Sequence, residues 1–151
     1  MFFENRYGFT CSWKLCFREK MKISIITATY NSLSVIQDTI NSISNQNYNN
    51  IEHIIIDGGS NDGSSDLFTE YNKNNSFVKF VSEKDNGVYY ALNKGINLAT
   101  GDIVGFVHSD DLIYSDETLS EIVSIFQEND IDGVYGDLQY VKRDDTSKVV
   151  R

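Results

Sequence analysis

The sequence predicts an α/β fold: a Rossmann-like, mostly parallel sheet with helices on both faces. Two observations carry that expectation. Short apolar runs, of the kind that form strands covered on both sides, alternate with segments whose apolar residues recur at helical spacing. The loops between them are short, and such alternation joins parallel strands through right-handed crossovers. The chain also contains no proline, so every turn relies on Gly, Asn, Asp and Ser.

The first buried strand is Lys22 to Ala28 (KISIITA), broken by Thr29-Tyr30-Asn31. Ser34 with Gln37 fits a capping box, and Leu33, Ile36, Ile40 and Ile43 form the inner face of the helix it would open. After a polar turn from Asn45 to Asn50, Ile51 to Asp57 (IEHIIID) is the second buried strand. His53 within it is read as structural. Gly58 to Ser65 (GGSNDGSS) is a loop with three glycines. Asp66 to Asn74 is a short helix with Leu67, Phe68 and Tyr71 turned inward, and Phe77 to Val81 is the third strand.

The stretch from Ser82 to Asp111 organises the rest. It opens with an acidic loop and a helix carrying Val88, Ala91, Leu92, Ile96 and Ala99 on one stripe. Gly95 inside that helix costs roughly 1 kcal/mol relative to Ala and is read as permitting close helix–strand approach. Thr100-Gly101-Asp102 forms a turn, and Ile103, Val104, Phe106 and Val107 make the fourth strand, which runs straight into Ser109-Asp110-Asp111. Ser115, Asp116 and Glu117 suit the start of another helix, with Leu119, Ile122, Val123 and Phe126 inward. Gly133 to Val141 is the fifth strand. Tyr135-Gly136-Asp137 either borders a ligand pocket or only ends that strand, and Lys142 to Arg151 is a charged tail.

The 151 residues make one domain, running over 21–151. A net charge of -9 argues against a nucleic-acid partner, and an anionic ligand would need a metal bridge. No apolar run approaches the roughly 20 residues of a membrane span. Residues 1–20 are expected to be an extension outside the domain, with no assigned role. They hold Trp13, Cys11 and Cys16, and lack the apolar run of a signal peptide. Two cysteines with no nearby histidine are a poor metal set, and without a disulfide framework a reducing, cytoplasmic compartment is expected. The rival reading of this stretch is a peripheral contact with the inner face of the membrane, made by Phe2, Phe3, Phe9, Trp13 and Phe17 beside Arg and Lys residues.

In a parallel sheet, ligands bind at the carboxyl ends of the strands. Those ends carry Tyr30 and Asn31, then Asp57, then Glu83 and Asp85, then Asp110 and Asp111. All would face one crevice. Adjacent carboxylates at a strand end repel each other and are costly to dehydrate. A divalent cation resolves both problems, since oxygen ligands suit magnesium, manganese or calcium; on spacing alone, capping of the next helix is an equal alternative. The glycine loop is neither a P-loop, for want of a following Lys-Ser/Thr, nor a dinucleotide fingerprint, because Gly58, Gly59 and Gly63 do not give GxGxxG.

TATYN at 27–31, IIIDGGSNDGS at 54–64, NKGINLATGD at 93–102 and HSDD at 108–111, in that order, resemble the nucleotide-binding half of family 2 glycosyltransferases with the GT-A fold. The resemblance runs from Met21 to about Val141. It implies transfer of a sugar from a nucleotide-diphosphate sugar to a glycan or lipid-linked acceptor, as in surface polysaccharide synthesis. It implies that Thr29, Tyr30, Asn31, Asp57, Glu83, Asp85 and Asp110 lie along the nucleotide sugar, and that Asp110 and Asp111 hold Mn²⁺ or Mg²⁺. Two departures stand out. The family's common Asp-Asp-Gly-Ser loop is Asp57-Gly58-Gly59-Ser60 here, so one carboxylate is absent, and His108 stands where the first Asp of an Asp-x-Asp often stands. His108 is read as a strand-end residue with a weak metal ligand as the rival, and Lys94 as an exposed helix lysine rather than a phosphate contact. The family's general base lies in an acceptor-binding half, expected beyond Arg151. The chain as it stands is therefore expected to be truncated and inactive, with Asp144 and Asp145 as solvated tail residues. The alternative functions are a non-catalytic nucleotide-sugar-binding remnant and a sugar nucleotidyltransferase. The second would want a basic, glycine-rich loop after the first strand, where TATYN stands.

Overall fold

The computed structural model describes residues 2–5, 20–143 and 145–150. In chain order its elements are β1 (Phe2–Asn5), β2 (Ile23–Thr29), α1 (Ile36–Ser44), β3 (Ile51–Asp57), α2 (Ser64–Asn74), β4 (Val78–Ser82), α3 (Val88–Leu98), β5 (Ile103–Phe106), α4 (Thr118–Glu128), β6 (Gly133–Tyr135), β7 (Val141–Lys142) and β8 (Asp145–Val149). One six-stranded sheet has the order β4-β3-β2-β5-β1-β6, and β7 with β8 makes a separate two-stranded hairpin. β4, β3, β2 and β5 are mutually parallel. β1 runs antiparallel to both its neighbours and takes the slot between β5 and β6. It belongs to the first 20 residues; Trp13 and the two cysteines lie outside the described residues.

The core follows from the strands' period of two. Ile23 and Ile25 of β2 and Ile103 of β5 pack with Ile43 of α1 and with Leu119, Ile122 and Phe126 of α4. On the same side Ile55 of β3 meets Ile36 and Ile40 of α1 and Phe68 of α2. The alternate residues Ile26, Ala28, Ile54, Ile56 and Val104 face the other way, against Ala91 of α3 and Ala99 at its end. Three helices thus cover one face and one covers the other, and every residue of β2 is buried.

At the amino edge of the sheet, Glu52 is 2% exposed and accepts bonds from Lys22 Nζ (2.9 Å), Ser24 Oγ (2.6 Å) and the Thr100 backbone N–H (2.6 Å), with Lys79 Nζ at 2.9 Å completing the set. Burial pushes its pKa up. The bonds from Lys79, Ser24, Thr100 and Lys22 outweigh that and hold the carboxyl well below the usual range.

Several elements differ from the sequence expectation. The capping box does not form. α1 begins at Ile36 with no side-chain cap, Ser34 Oγ accepts from Arg143, and Gln37 bonds Asn41. The cause is tertiary: Ser64 Oγ takes the Ser32 N–H and Asp62 the Leu33 N–H, so residues 32–35 turn before the helix starts. Leu33 is consequently 42% exposed rather than inward, and Val88, at the first position of α3, is 46% exposed. The expected fifth strand ends at Tyr135, where its ladder with β1 reaches the Phe2–Tyr135 pair and stops. The charged tail instead forms the β7–β8 hairpin, whose Arg143 guanidinium donates to Ser34 O and Oγ.

Gly95 has the packing role its position suggested. A Cβ there would lie 2.4 Å from Ile26 Cγ2, a branch methyl fixed in the middle of β2. Gly95→Ala should therefore destabilise the domain by about 1–3 kcal/mol through overpacking, even though alanine favours the helix by roughly 1 kcal/mol. Urea denaturation checks this; a Gly95→Ala chain more stable than the unmodified one would show that α3 can simply lift off β2.

Candidate functional site

The carboxyl edge gathers three strand ends in register. Thr29 lies opposite Asp57, and Asp57 opposite Ser82. Two further backbone bonds, Gly58 N–H to Thr29 O (3.0 Å) and Glu83 N–H to Asp57 O (3.0 Å), carry the alignment into the loops.

Asp57 is the anchor of this edge. It is fully buried, and its carboxylate accepts from the Ser60 N–H (3.0 Å), Ser65 Oγ (2.9 Å), Ser82 Oγ (2.6 Å) and, on its other oxygen, Ser60 Oγ. Burial raises the carboxyl pKa, but the bonds from Ser60, Ser82 and Ser65 outweigh it and hold the group below the usual range. Its acceptor capacity is spent on folding the glycine loop back onto β3 and β4.

The loops after β2 and β3 are stitched together. Asn31 has φ +50°, a left-handed conformation that asparagine tolerates. Its N–H donates to Ser60 Oγ (2.8 Å), and its Oδ1 accepts from the Asn61 N–H (3.0 Å). Asp62 joins the same loops, accepting from the Leu33 N–H (2.9 Å) and from the Ser64 N–H and hydroxyl. The Ser64 and Leu33 bonds hold its carboxyl below the usual range. Thr29 is buried, its hydroxyl 2.5 Å from Ser32 Oγ, and so supports the turn from within.

Tyr30 and Asp85 flank Gly58. A Cβ on Gly58 would lie 3.4 Å from both Tyr30 Cδ2 and Asp85 Oδ2. Asp85 is held in place by the Gly87 N–H, which donates to its Oδ1 (2.8 Å). Glu83, one step past β4, is paired with Lys94 of α3, so Lys94 is neither free nor fully exposed.

Thr29, Tyr30, Asn31, Asp57 and Asp85 thus meet through contacts around one loop. Asp110 and Asp111 are exposed on the turn after β5, and no hydrogen bond among the described residues ties them to that cluster. The Asp111 N–H donates to His108 O (3.1 Å), and its Oδ2 accepts weakly from the His108 N–H (3.3 Å). Neither aspartate caps α4, which starts only at Thr118. Among the described residues, no group of three or more His, Cys, Asp and Glu side chains is placed to hold a metal ion by itself. The sequence reading missed Ser60, Ser65, Ser82 and Asp62. The serine-rich GGSNDGSS loop is the one signal that pointed toward them.

His53 is fully buried on the opposite side of β3 from Glu52. Its Nε2 lies 2.9 Å from Thr27 Oγ1, which itself donates to Val107 O (2.8 Å). Nε2 must therefore be the donor, and Nδ1 is left buried with no hydrogen-bond partner among the described residues. Burial pushes its pKa down to about 3. A cavity of about 290 Å³ lies between α1 and α2, lined by Gln37, Ile40, Leu67, Tyr71 and Asn74 and by none of these loop residues.

Fold and site together define an α/β domain whose parallel sheet carries, at its carboxyl edge, loops tied to one another by serine and asparagine side chains. The chain belongs to glycosyl transferase family 2, whose profile matches residues 24–151. It is 34% identical over 126 residues to an uncharacterized glycosyltransferase of Nostoc sp., an alignment spanning 83% of this chain and 39% of that one. Among solved structures, it resembles the mannosyltransferase PcManGT from Pyrobaculum calidifontis in complex with GDP-Man and Mn²⁺, with 26% identity and a TM-score of 0.64 over 70% of this chain and 32% of that one. It also resembles S. aureus TarS in complex with UDP-GlcNAc, with 30% identity and a TM-score of 0.66 over 72% of this chain and 32% of that one. The fold is that of the GT-A glycosyltransferases, and the chain spans well under half the length of these relatives.

Proposed function

We propose that this chain is the donor-binding part of a glycosyltransferase that moves a sugar from a nucleotide-diphosphate sugar to a glycan or lipid-linked acceptor in surface polysaccharide synthesis. A cytoplasmic location, at the inner face of the membrane, goes with that reading. The observation that carries it is the set of stitched loops after β2 and β3, together with the loop after β4, which place Tyr30 and Asp85 beside a bare glycine at the edge of the sheet. Membership of the family supports it, as do the two solved relatives with bound GDP-Man and UDP-GlcNAc.

Each residue has a distinct task. The exposed Tyr30 ring offers a stacking face, and Asp85 a polar edge. Asn31 and Asp57 act through the loop they shape rather than by touching the ligand. Glu83 and Lys94 form an ion pair beside α3, which places a positive charge within reach of a phosphate if the pair opens. Asp110 and Asp111 would hold Mn²⁺ or Mg²⁺. Two exposed carboxylates with no third protein ligand among the described residues suit a hard cation that takes its remaining oxygens from water and substrate phosphates. Bound there, the ion would neutralise charge on the departing nucleoside diphosphate. The solved relative that carries Mn²⁺ beside its nucleotide sugar supports that assignment.

A nucleoside diphosphate given together with Mn²⁺ should raise the melting temperature more than either alone. At a hundred times the dissociation constant the gain is about 2.7 kcal/mol. Asp111→Asn should remove the metal-dependent part while leaving the unliganded melting temperature nearly unchanged, since the bond it loses is a weak one of 3.3 Å. Equal stabilisation in EDTA would defeat the metal bridge, and no stabilisation by any nucleotide would defeat the donor-site reading.

A further inference from the structure

We propose that Thr39, buried in α1, is a positioning residue for the cation site: its hydroxyl fixes the turn that presents Asp110 and Asp111. The inference rests on the metal reading above and adds to it the group that sets where the ligands stand.

Two apolar anchors bracket that turn. Val107 and Ile113 are buried in the cluster that holds Ile43 of α1 and Leu119 of α4. Between them, residues 108–112 are exposed apart from a half-buried Ser109. No hydrogen bond among the described residues holds the Asp110 side chain, and that of Asp111 has only the weak one from the His108 N–H. The turn must therefore be placed through its backbone. A row of polar side chains does this, at spacings of three and four residues along one side of α1 and its end. Thr39 Oγ1 donates to Ser109 O (3.0 Å), and Ser42 Oγ accepts from the Ile113 N–H (3.2 Å). Gln46 accepts from the Leu119 N–H (3.1 Å) and donates to Ser115 O (2.7 Å).

Thr39 is the member of the row that touches the aspartate turn itself. A helical threonine commonly turns its hydroxyl back to a carbonyl of the preceding turn. This one reaches 70 residues along the chain instead. It is fully buried beside Ile36, Ile40 and Ile43, where a valine would fill the space with no polar atom to satisfy. The Ser109 carbonyl shares one peptide plane with the Asp110 N–H. Holding that oxygen fixes the plane from which the Asp110 side chain sets out. A small hard cation tolerates little error in its ligands, and a turn ordered beforehand loses less entropy on binding.

The test separates the hydroxyl from the space it fills. Titration calorimetry of the 151-residue chain with UDP and with GDP, each in Mn²⁺ and in EDTA, gives a ratio of affinities that measures the metal-dependent part. Thr39→Val keeps the branched shape and removes the donor. It should lower that ratio about threefold to tenfold, with binding in EDTA unchanged. Thr39→Ser keeps the hydroxyl and should retain the ratio. Thr39→Ala should show the loss seen in Thr39→Val at a lower melting temperature, because it also empties the methyl's space. An unaltered ratio in Thr39→Val, an equal loss with and without Mn²⁺, or a Thr39→Ser chain as impaired as Thr39→Val overturns the positioning role and leaves the cation reading intact. No gain from Mn²⁺ in the unmodified chain overturns both.

Discussion

An Asp57→Ala chain is expected to lose about 3–5 kcal/mol of folding stability, a large share of what holds a domain this size together. Removing the carboxylate, itself fully buried, strands one backbone N–H and three hydroxyls, those of the half-buried Ser60 and Ser65 and of the more exposed Ser82. Each unsatisfied buried donor costs about 1–3 kcal/mol, and the hydroxyls recover part of that by turning to other acceptors. The loss is not local. Ser60 also receives the Asn31 N–H, so releasing it loosens the loop after β2 along with the glycine loop. Asp57→Asn keeps one accepting oxygen and should fall between the two. Urea midpoints at pH 8 test this, with Asp111→Asn as the exposed comparison. If Asp57→Ala unfolds at the same urea concentration as the unmodified chain, the network adds nothing to stability and Asp57 is free to serve a ligand instead.

That contrast bears on what the sequence could and could not reveal. The strands β2 and β3 were legible because their isoleucine-rich runs are buried on both faces and so need no alternation, and all four parallel strands because each short apolar run is followed by a periodic helix. The placing of Tyr30, Asn31, Asp57 and Asp85 at one edge followed from topology alone, since parallel strands end on the same side. What each aspartate does there was not legible. A strand-end carboxylate looks the same in sequence whether it faces solvent, as Asp110 does, or is enclosed by hydroxyls, as Asp57 is. Ser82 lies 25 residues from Asp57 and meets it only because β3 and β4 pair in register. The capping box at Ser34 failed for a similar reason. Ser64 and Asp62, distant in sequence, compete for the backbone that the local rule assigned to the helix. β1 carries no readable pattern, since four residues are too few to show a period. Its place depends on the gap that the β5–α4–β6 crossover leaves, a property of the assembled sheet.

His53 should make the protein lose stability in mild acid. Its ring is wholly buried, faced by the Thr27 hydroxyl and by the edge of Tyr71 at 5.9 Å. No side-chain hydrogen bond or ion pair among the described residues links it to a charged group. A proton on Nδ1 would therefore be a buried charge with no acceptor, which is why the folded-state pKa drops to about 3 from the ordinary value of 6.5. The unfolded chain binds this proton near pH 6.5, and the folded chain resists it. The contribution is thus complete above pH 6.5, shrinks as pH falls below that value, and is gone near pH 3. By pH 5 about 2 kcal/mol should have been lost relative to pH 8. Asp57 and Glu52 also have lowered pKa values, but their losses begin only as the pH approaches the unfolded carboxyl range near 4, so the window from pH 6.5 to 5 belongs to the histidine. His53→Gln can still donate to Thr27 and does not titrate. It should be less stable at pH 8 because the amide fills the ring's space poorly, and its stability should hardly change between pH 8 and 5. Urea midpoints for both chains at pH 8, 6.5 and 5 decide the matter. An equal slope in the two would show that the loss does not come from His53, and a flat profile in the unmodified chain would mean that the proton on Nδ1 finds a partner after all.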